Sequence, residues 1–185
     1  MSPPLDKKLI IMGDSAVGKT SLAKKFLGHG FVDEYLPTLG ANFTTKTYRI
    51  GDFDVRVMIV DVAGQENFNL LRERYFVGAS GVFLVFDVTR PFDAEDQIKP
   101  WVHEVMEYTN HQGLPLAILA NKIDLRLLRN IETFSGINAA AGVKSMMGSN
   151  VSVQYFETSA KEGTGVQEAF EWLIQEIIHT EILDR

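Results

Sequence analysis

Residues 13–20 read Gly13-Asp14-Ser15-Ala16-Val17-Gly18-Lys19-Thr20. This octapeptide fits the phosphate-binding pattern of a glycine, any four residues and then Gly-Lys-Ser/Thr. The apolar run Leu9–Met12 precedes it and a helix-forming stretch follows from Lys19, which is the strand–loop–helix context that the pattern needs. A glycine-rich turn that matches by chance is the alternative, and this context argues against it. The sequence therefore predicts a loop that surrounds an oligophosphate.

Each residue type in this loop has a physical reason to bind phosphate. Glycines let backbone N–H groups curl around phosphate oxygens, and the N-terminus of the following helix adds partial positive charge. Lys19 is expected to reach the outer phosphates, and the Thr20 hydroxyl is expected to ligate Mg²⁺. The residues that we assign to nucleotide binding here are Asp14, Ser15, Ala16, Val17, Gly18, Lys19, Thr20 and Ser21.

Composition and charge narrow the class of protein. The 185 residues carry a formal net charge of −6 and include no cysteine. We predict a single domain over residues 1–185. The acidic balance argues against nucleic acid as a partner, because binding to a phosphate backbone needs clustered Lys and Arg. Without cysteine, disulfides, thiolate metal sites and lipidation on cysteine are excluded. No signal peptide or membrane-spanning run is recognisable, so we expect a cytoplasmic protein. We also expect it to be a monomer.

Apolar runs alternate with helix-like segments along the chain. Short, continuously apolar runs are typical of parallel strands that are covered on both faces. The predicted strands are Leu9–Met12, Thr44–Ile50, Phe53–Asp61, Gly81–Asp87, Leu116–Asn121 and Val153–Glu157. The second and third form an antiparallel hairpin. We therefore predict a three-layer α/β sandwich of the P-loop NTPase type, with a six-stranded, mostly parallel sheet and about five helices. Ligands of such sheets bind at the carboxyl ends of the strands.

A second motif, residues 61–66, follows the third predicted strand and reads Asp-Val-Ala-Gly-Gln-Glu. Asp61 can hold Mg²⁺ through water, and Gly64 can offer its N–H to a γ-phosphate. Gln65 can orient an attacking water. These roles point to hydrolysis of a nucleoside triphosphate, with Gln65, Lys19 and Gly64 as the predicted catalytic residues.

Two further motifs select the base. The first contains Asn121, Lys122 and Asp124, and the second contains Ser159, Ala160 and Lys161. The Asp124 carboxylate can accept hydrogen bonds from the guanine N1–H and the N2 amino group, a donor pair that adenine lacks. Backbone N–H groups of residues 159–161 can serve guanine O6. In isolation each segment also reads as an ordinary turn after a strand; together they predict GTP and GDP as ligands.

These four segments resemble those of a small GTPase of the Ras superfamily, over essentially the whole chain. Residues 31–38 resemble the first switch region of that family. By this resemblance, Phe31 packs on the guanine and Tyr35 closes over the phosphates. Thr38 then completes the Mg²⁺ shell when a γ-phosphate is present. The resemblance also implies an exchange factor, a GTPase-activating protein and effectors that bind through residues 31–43 and 61–76.

Within the superfamily, residues 38–43 and 75–79 look most like the Rab branch, which implies Rab-like regulation of trafficking or signalling. The chain departs from the Rab pattern where Val60 and Val62 replace a usual Trp and Thr, and where Asn67 replaces a usual Arg. Of the effector-facing aromatic cluster of that branch, Phe43 and Tyr75 remain. Whether Phe43 and the apolar residues 68, 70 and 71 face solvent or pack inward is left open.

Residues 31–38 contain no arginine. We therefore expect slow intrinsic GTP hydrolysis, on the order of 10⁻⁴ per second, accelerated by an activating protein. The alternatives are a GTP-binding scaffold that barely hydrolyses and a nucleotide-dependent kinase or ATPase. Gln65 and Thr38 favour a switch over a scaffold, because a scaffold requires neither. Asp124 argues against the kinase and the ATPase.

Three other features lead to expectations about the surface and the core. Asp124 and Ser159 are separated by 34 residues, more than is usual in the family, and we place the extra length near residues 145–150 as a surface-loop extension or a partner site. Trp101 and Trp172 are expected in the core. The final residues contain no lipidation cysteine, which leaves two possibilities. The protein associates peripherally with membranes through a lipidated segment that is missing from this sequence, or it has no lipid anchor on cysteine.

Overall fold

A computed structural model describes residues 4–30, 40–50, 53–63, 69–109, 113–148 and 150–183. Within these ranges the chain forms six strands and five α-helices. In chain order they are β1 (Leu5–Met12), α1 (Lys19–Phe26), β2 (Ala41–Ile50), β3 (Phe53–Val62), α2 (Asn69–Phe76), β4 (Gly81–Asp87), α3 (Ala94–Tyr108), β5 (Leu116–Asn121), α4 (Thr133–Met147), β6 (Val153–Thr158) and α5 (Val166–Leu183).

The six strands form one sheet in the order β2-β3-β1-β4-β5-β6. Only β2 and β3 pair antiparallel, and every other neighbouring pair is parallel. All residues of β4 and β5 are buried, as expected for strands covered on both faces. The predicted fold class is confirmed.

Helices cover both faces of the sheet and create two hydrophobic cores. On one face, α1 and α5 pack together, and the ring of Phe170 lies 3.9 Å from that of Phe26 and 4.3 Å from that of Phe83, centroid to centroid. On the other face, α3 and α4 supply apolar residues such as Val102 and Val143. The carboxyl ends of the parallel strands are thereby held at one rigid edge.

Several element bounds differ from the sequence predictions, among them the start of β2 at Ala41 instead of Thr44. Two of the differences have a clear physical reason. β1 begins at Leu5, ahead of its apolar run, because its polar residues continue the parallel register with β3, in which Asp6 is opposite Arg56. The helix α4 continues to Met147, which packs against the core. The surface loop predicted near residues 145–150 therefore begins only at Gly148, whose φ of +97° ends the helix.

Both tryptophans lie where the sequence predicts. Trp101 belongs to α3, and its side chain is buried in the core. Trp172 is half-buried beside Phe156. In the part of the chain that the structure describes, no helix has the length and apolar character needed to cross a lipid bilayer.

Candidate functional site

The predicted phosphate loop joins the carboxyl end of β1 to the start of α1. Its first glycine could not carry a side chain, because a Cβ on Gly13 would lie 2.2 Å from the backbone oxygen of Val85. Gly18 has φ of +103°, and its Cβ would lie 2.2 Å from the side-chain nitrogen of Asn121. The two glycines therefore let the loop lie directly against β4 and β5.

Lys19 is a buried cation in this loop. Its side chain is only 6% exposed, and its Nζ donates to the backbone oxygens of Gly13, at 2.7 Å, and of Asp14, at 2.6 Å. A buried ammonium needs partners of this kind, since an uncompensated charge in the interior is costly. The loop thus carries the positive charge that a phosphate chain requires.

A hydroxyl and a carboxylate meet beside the loop. Thr20, in the first turn of α1, donates its Oγ1 hydrogen to Oδ2 of Asp61 at 2.5 Å. The register of β1 with β3 brings Asp61 opposite Ile11, at the end of β1, and Asp61 is buried. Carboxylate and hydroxyl oxygens are donors that Mg²⁺ accepts. Among the residues described, no group of three or more His, Asp or Glu could hold a metal ion.

Asn121 ties the phosphate loop to the predicted base-binding loops. Its buried side chain donates through Nδ2 to the backbone oxygen of Val17 at 2.8 Å. Its Oδ1 accepts from the backbone N–H of Ala160 at 3.3 Å and from the Thr158 hydroxyl at 3.2 Å. One amide therefore joins loops that follow three different strands.

The two residues after Asn121 in the predicted motif are also held. Lys122 has φ of +72°, and its Nζ pairs with the buried Asp87 carboxylate at 2.7 Å. Asp124 accepts a 2.7 Å hydrogen bond on Oδ1 from the hydroxyl of Ser159, which is fully buried. The carboxylate predicted to read the base thus has a fixed partner in the second predicted base loop.

A second network, which the sequence does not reveal, joins the segment between β5 and α4 to strand β6 beside the predicted base loops. Arg129 pairs with Glu157 at 2.5 Å, and the Thr133 hydroxyl donates to the same carboxylate at 2.6 Å. Burial alone would raise the pKa of Glu157, but these hydrogen bonds and the Arg129 charge outweigh it and hold that pKa below its usual range. Burial and the Glu157 charge raise the pKa of Tyr155, whose hydroxyl donates to Glu157 at 3.2 Å.

Arg90 and Trp101 contact the phosphate loop from outside it. Arg90, just after β4, pairs with Asp14 in the phosphate loop, and the Trp101 indole also donates to Asp14. Neither contact has a sequence signature, because the partners are 76 and 87 positions apart.

The described members of the predicted site all lie at the carboxyl edge of the sheet, at or just after the ends of β1, β3, β5 and β6. They are Asp14, Ser15, Ala16, Val17, Gly18, Lys19, Thr20, Ser21, Asp61, Asn121, Lys122, Asp124, Ser159, Ala160 and Lys161. The remaining predicted site residues lie outside the described residues; they are Phe31, Tyr35, Thr38, Gly64 and Gln65.

For one apolar residue of the predicted switch segments, the structure answers whether its side chain faces solvent. Phe43 is 53% exposed and meets the Tyr75 ring edge-on, with centroids 5.7 Å apart. Phe68, Leu70 and Leu71 lie outside the part of the chain whose side chains the structure describes. Phe43 is therefore an apolar contact available on the surface.

Comparison with known proteins gives consistent matches. The protein-family profile described as Ras family matches residues 8–179. The GTP-binding protein YPTM1 of Zea mays is 34% identical over 163 residues, which is 88% of this chain and 74% of the relative. The Ras-related protein RabC of Dictyostelium discoideum is 34% identical over 92% of this chain and 83% of its own length. The Ras-related protein Rab-18-B of Danio rerio is 36% identical over 94% and 80%.

Proposed function

Because the chain belongs to the Ras family, in its Rab branch, we propose that its carboxyl-edge loops bind GTP and GDP through the residues assigned above. The chain is a GTP-binding switch protein and a GTPase, with Rab-like roles in trafficking. Our proposal assigns phosphate binding to residues 14–21 and base recognition to Asn121, Lys122, Asp124 and residues 159–161.

The single observation that supports this assignment best is the position of Asn121. Its amide contacts Val17 in the phosphate loop and Ala160 in the second base loop. A phosphate-binding element and a base-reading carboxylate are thereby held on one edge of the sheet, as a nucleotide requires. The same arrangement disfavours a kinase or an ATPase, because Asp124 offers two acceptor oxygens where adenine has no matching donors.

In the proposed reaction the protein acts by positioning and by charge. Lys19 and backbone N–H groups of the loop neutralise charge on the β- and γ-phosphates, and Gly64 donates its N–H to the γ-phosphate. Gln65 orients the attacking water. Thr20 and Asp61 would hold Mg²⁺, with Thr38 added in the GTP state; the ion supplies further neutralisation of phosphate charge.

Loss of the γ-phosphate gives the switch its physical basis. Thr38 and Gly64 belong to two different segments that contact the same phosphate in this proposal, so hydrolysis releases both. Phe43 and Tyr75 lie in residues 31–43 and 61–76, the segments through which we propose that an exchange factor, an activating protein and effectors bind. We further propose a cytoplasmic monomer that works peripherally at membranes.

The test is single-turnover GTP hydrolysis with Mg²⁺, comparing the wild type with Gln65→Leu. We expect a wild-type rate on the order of 10⁻⁴ per second and a slower rate in the variant, because leucine cannot orient water. Tight GTP binding with no hydrolysis in either protein would instead support a static scaffold. Competition by ATP as effective as that by GTP would contradict guanine recognition.

A further inference from the structure

The side chain of Asp14 is held by two residues from outside the phosphate loop. Its Oδ1 accepts a 2.8 Å hydrogen bond from the Trp101 indole, and its Oδ2 accepts one of 2.8 Å from Nη1 of Arg90. The other guanidinium nitrogen of Arg90, Nη2, donates to the backbone oxygen of Ser15. We call Arg90, Trp101 and Asp14 the phosphate-loop clamp.

The clamp holds the stretch of backbone that accepts a hydrogen bond from the buried Lys19 ammonium. Asp14 contributes its own backbone oxygen to Lys19 Nζ, at 2.6 Å. Ser15, whose oxygen Arg90 holds, precedes Ala16, and Ala16 has φ of +64°. A residue with a side chain adopts this left-handed conformation at a cost, and such conformations persist where surrounding contacts impose them. The clamp supplies contacts of that kind on both preceding residues.

The two outer members of the clamp are themselves anchored. Trp101 is 7% exposed within the core under α3. Arg90 follows Asp87, whose carboxylate accepts hydrogen bonds from the Thr89 backbone and hydroxyl, at 2.9 and 2.7 Å, and pairs with Lys122. Because Trp101 belongs to α3 and Arg90 lies in the short segment that joins β4 to α3, both residues can hold the loop against these elements.

The clamp differs from an ordinary surface ion pair, and the chain offers one for comparison. Arg56 and Asp6 form a two-point pair, but their side chains are 53% and 62% exposed and they lie on β3 and β1 away from the carboxyl edge. Arg90 and Asp14 are 26% and 37% exposed, and Asp14 has the indole as a second donor. Solvent screening therefore weakens the clamp less than it weakens the exposed pair.

We propose that Arg90 and Trp101 are positioning residues that act through Asp14 to hold the phosphate loop in its phosphate-binding shape. They determine how strongly the loop discriminates a nucleoside diphosphate from a monophosphate. This inference rests on the proposed function, since it takes residues 14–21 as the phosphate site. It adds a role for two residues that lie outside every motif of the sequence.

The experiment measures the ratio of GDP affinity to GMP affinity by displacement of a fluorescent GDP analogue. Arg90→Ala should lower this ratio about tenfold, the effect of losing one charge-assisted contact set. Arg90→Lys keeps a charge near Asp14 but has one nitrogen in place of the two that contact Asp14 and Ser15, so its ratio should lie between those of Arg90→Ala and the wild type. Arg56→Ala is the matched control and should leave the ratio unchanged.

The ratio separates positioning from simple loss of stability. A variant that is merely less stable binds both nucleotides through the same folded fraction, so both affinities fall together and their ratio stays constant. If Arg90→Ala fails to fold, Asp14→Asn and Arg90→Lys decide, because each removes part of the Arg90 contacts and keeps an oxygen for the indole. Ratios within twofold of wild type in both would overturn the clamp.

The proposed function can fail separately. A wild-type protein that binds GDP no better than GMP would contradict the assignment of residues 14–21 to the phosphates. A wild-type protein with a strong preference for GDP, together with an unchanged ratio in Arg90→Ala, would leave that assignment intact and overturn the positioning role alone.

Discussion

In the proposed guanine site, Asp124 has to hold its carboxylate in one orientation, and the buried Ser159 fixes that orientation. Ser159 donates its hydroxyl hydrogen to Asp124 Oδ1 at 2.7 Å and accepts from the backbone N–H of Glu162 at 3.0 Å. Since Ser159 is fully buried, its rotamer has little freedom. The carboxylate is thus preorganised before a ligand arrives, which lowers the entropic cost of recognition.

Replacing this carboxylate should change which base is bound. Asp124→Asn keeps one acceptor oxygen but loses the charge, and its amide nitrogen donates hydrogen where the guanine N2 amino group also donates. Loss of two hydrogen bonds to a charged acceptor, about 1.5–3 kcal/mol each, should weaken GDP binding about a hundredfold or more. Xanthosine diphosphate has an acceptor oxygen in place of the N2 amino group and should regain affinity. Competition with a fluorescent GDP analogue measures both.

The control for this change is Asp96→Asn, which removes an exposed carboxylate from α3 and should leave both affinities unaltered. If Asp124→Asn still preferred GDP over xanthosine diphosphate by the wild-type margin, Asp124 would not contact the base. Loss of binding to both diphosphates would also contradict the prediction, because the phosphate loop remains intact in this variant.

Among the elements, α4 approaches β6 closely enough that one of its glycines is required by packing. A Cβ on Gly136 would lie 2.5–2.7 Å from three atoms of the Tyr155 side chain. Tyr155 cannot move away freely, since its hydroxyl donates to Glu157, which in turn pairs with Arg129. The packing of α4 is thereby coupled to the network beside the base loops.

Gly136→Ala should therefore destabilise the fold by about 1–3 kcal/mol, the usual result of overpacking, although alanine favours a helix. Gly142 lies in the same helix with no atom near its missing Cβ. Gly142→Ala should stabilise by up to about 1 kcal/mol, because only helix propensity changes. Urea unfolding of both variants measures the difference. Equal free energies of unfolding in the two variants would show that Tyr155 moves aside at no cost in stability.

How far the sequence predicts these elements depends on whether the determinants are local. The bounds of β4 and β5 were predictable because each strand is one apolar run that ends in a polar residue, Asp87 or Asn121. The early start of β1 was not predictable, since its polar residues adopt a strand conformation through their pairing with β3. The base motif was recognisable because its spacing is local; the contact of Arg90 with Asp14 joins residues 76 positions apart and leaves no local pattern.

At the scale of the whole molecule, the site consists of loops joined by side chains from several layers. The phosphate-loop clamp holds one end, and the Arg129–Glu157 pair holds the other. Asn121 connects the phosphate loop to the second base loop between them. Since these loops follow β1, β5 and β6, a ligand that contacts all of them stabilises the arrangement of the entire carboxyl edge.

Nucleotide should consequently raise the thermal stability of the whole domain. GDP at a hundred times its dissociation constant stabilises the native state by about 2.7 kcal/mol. For a domain of this size that corresponds to a rise in the melting temperature of about 5–11 °C. ATP at the same concentration should give no comparable rise. Chelation of Mg²⁺ should reduce the GDP effect, because Thr20 and Asp61 would lose the ion that links them to the phosphates.

Differential scanning fluorimetry of nucleotide-free protein measures this rise, and Asp124→Asn serves as the internal comparison. The variant should lose most of the GDP-dependent rise while its melting temperature without nucleotide stays near that of the wild type, because the substitution changes recognition more than packing. Equal rises with GDP and ATP would contradict guanine selectivity. A GDP-dependent rise that survives both Asp124→Asn and chelation would place the ligand elsewhere than at the carboxyl edge.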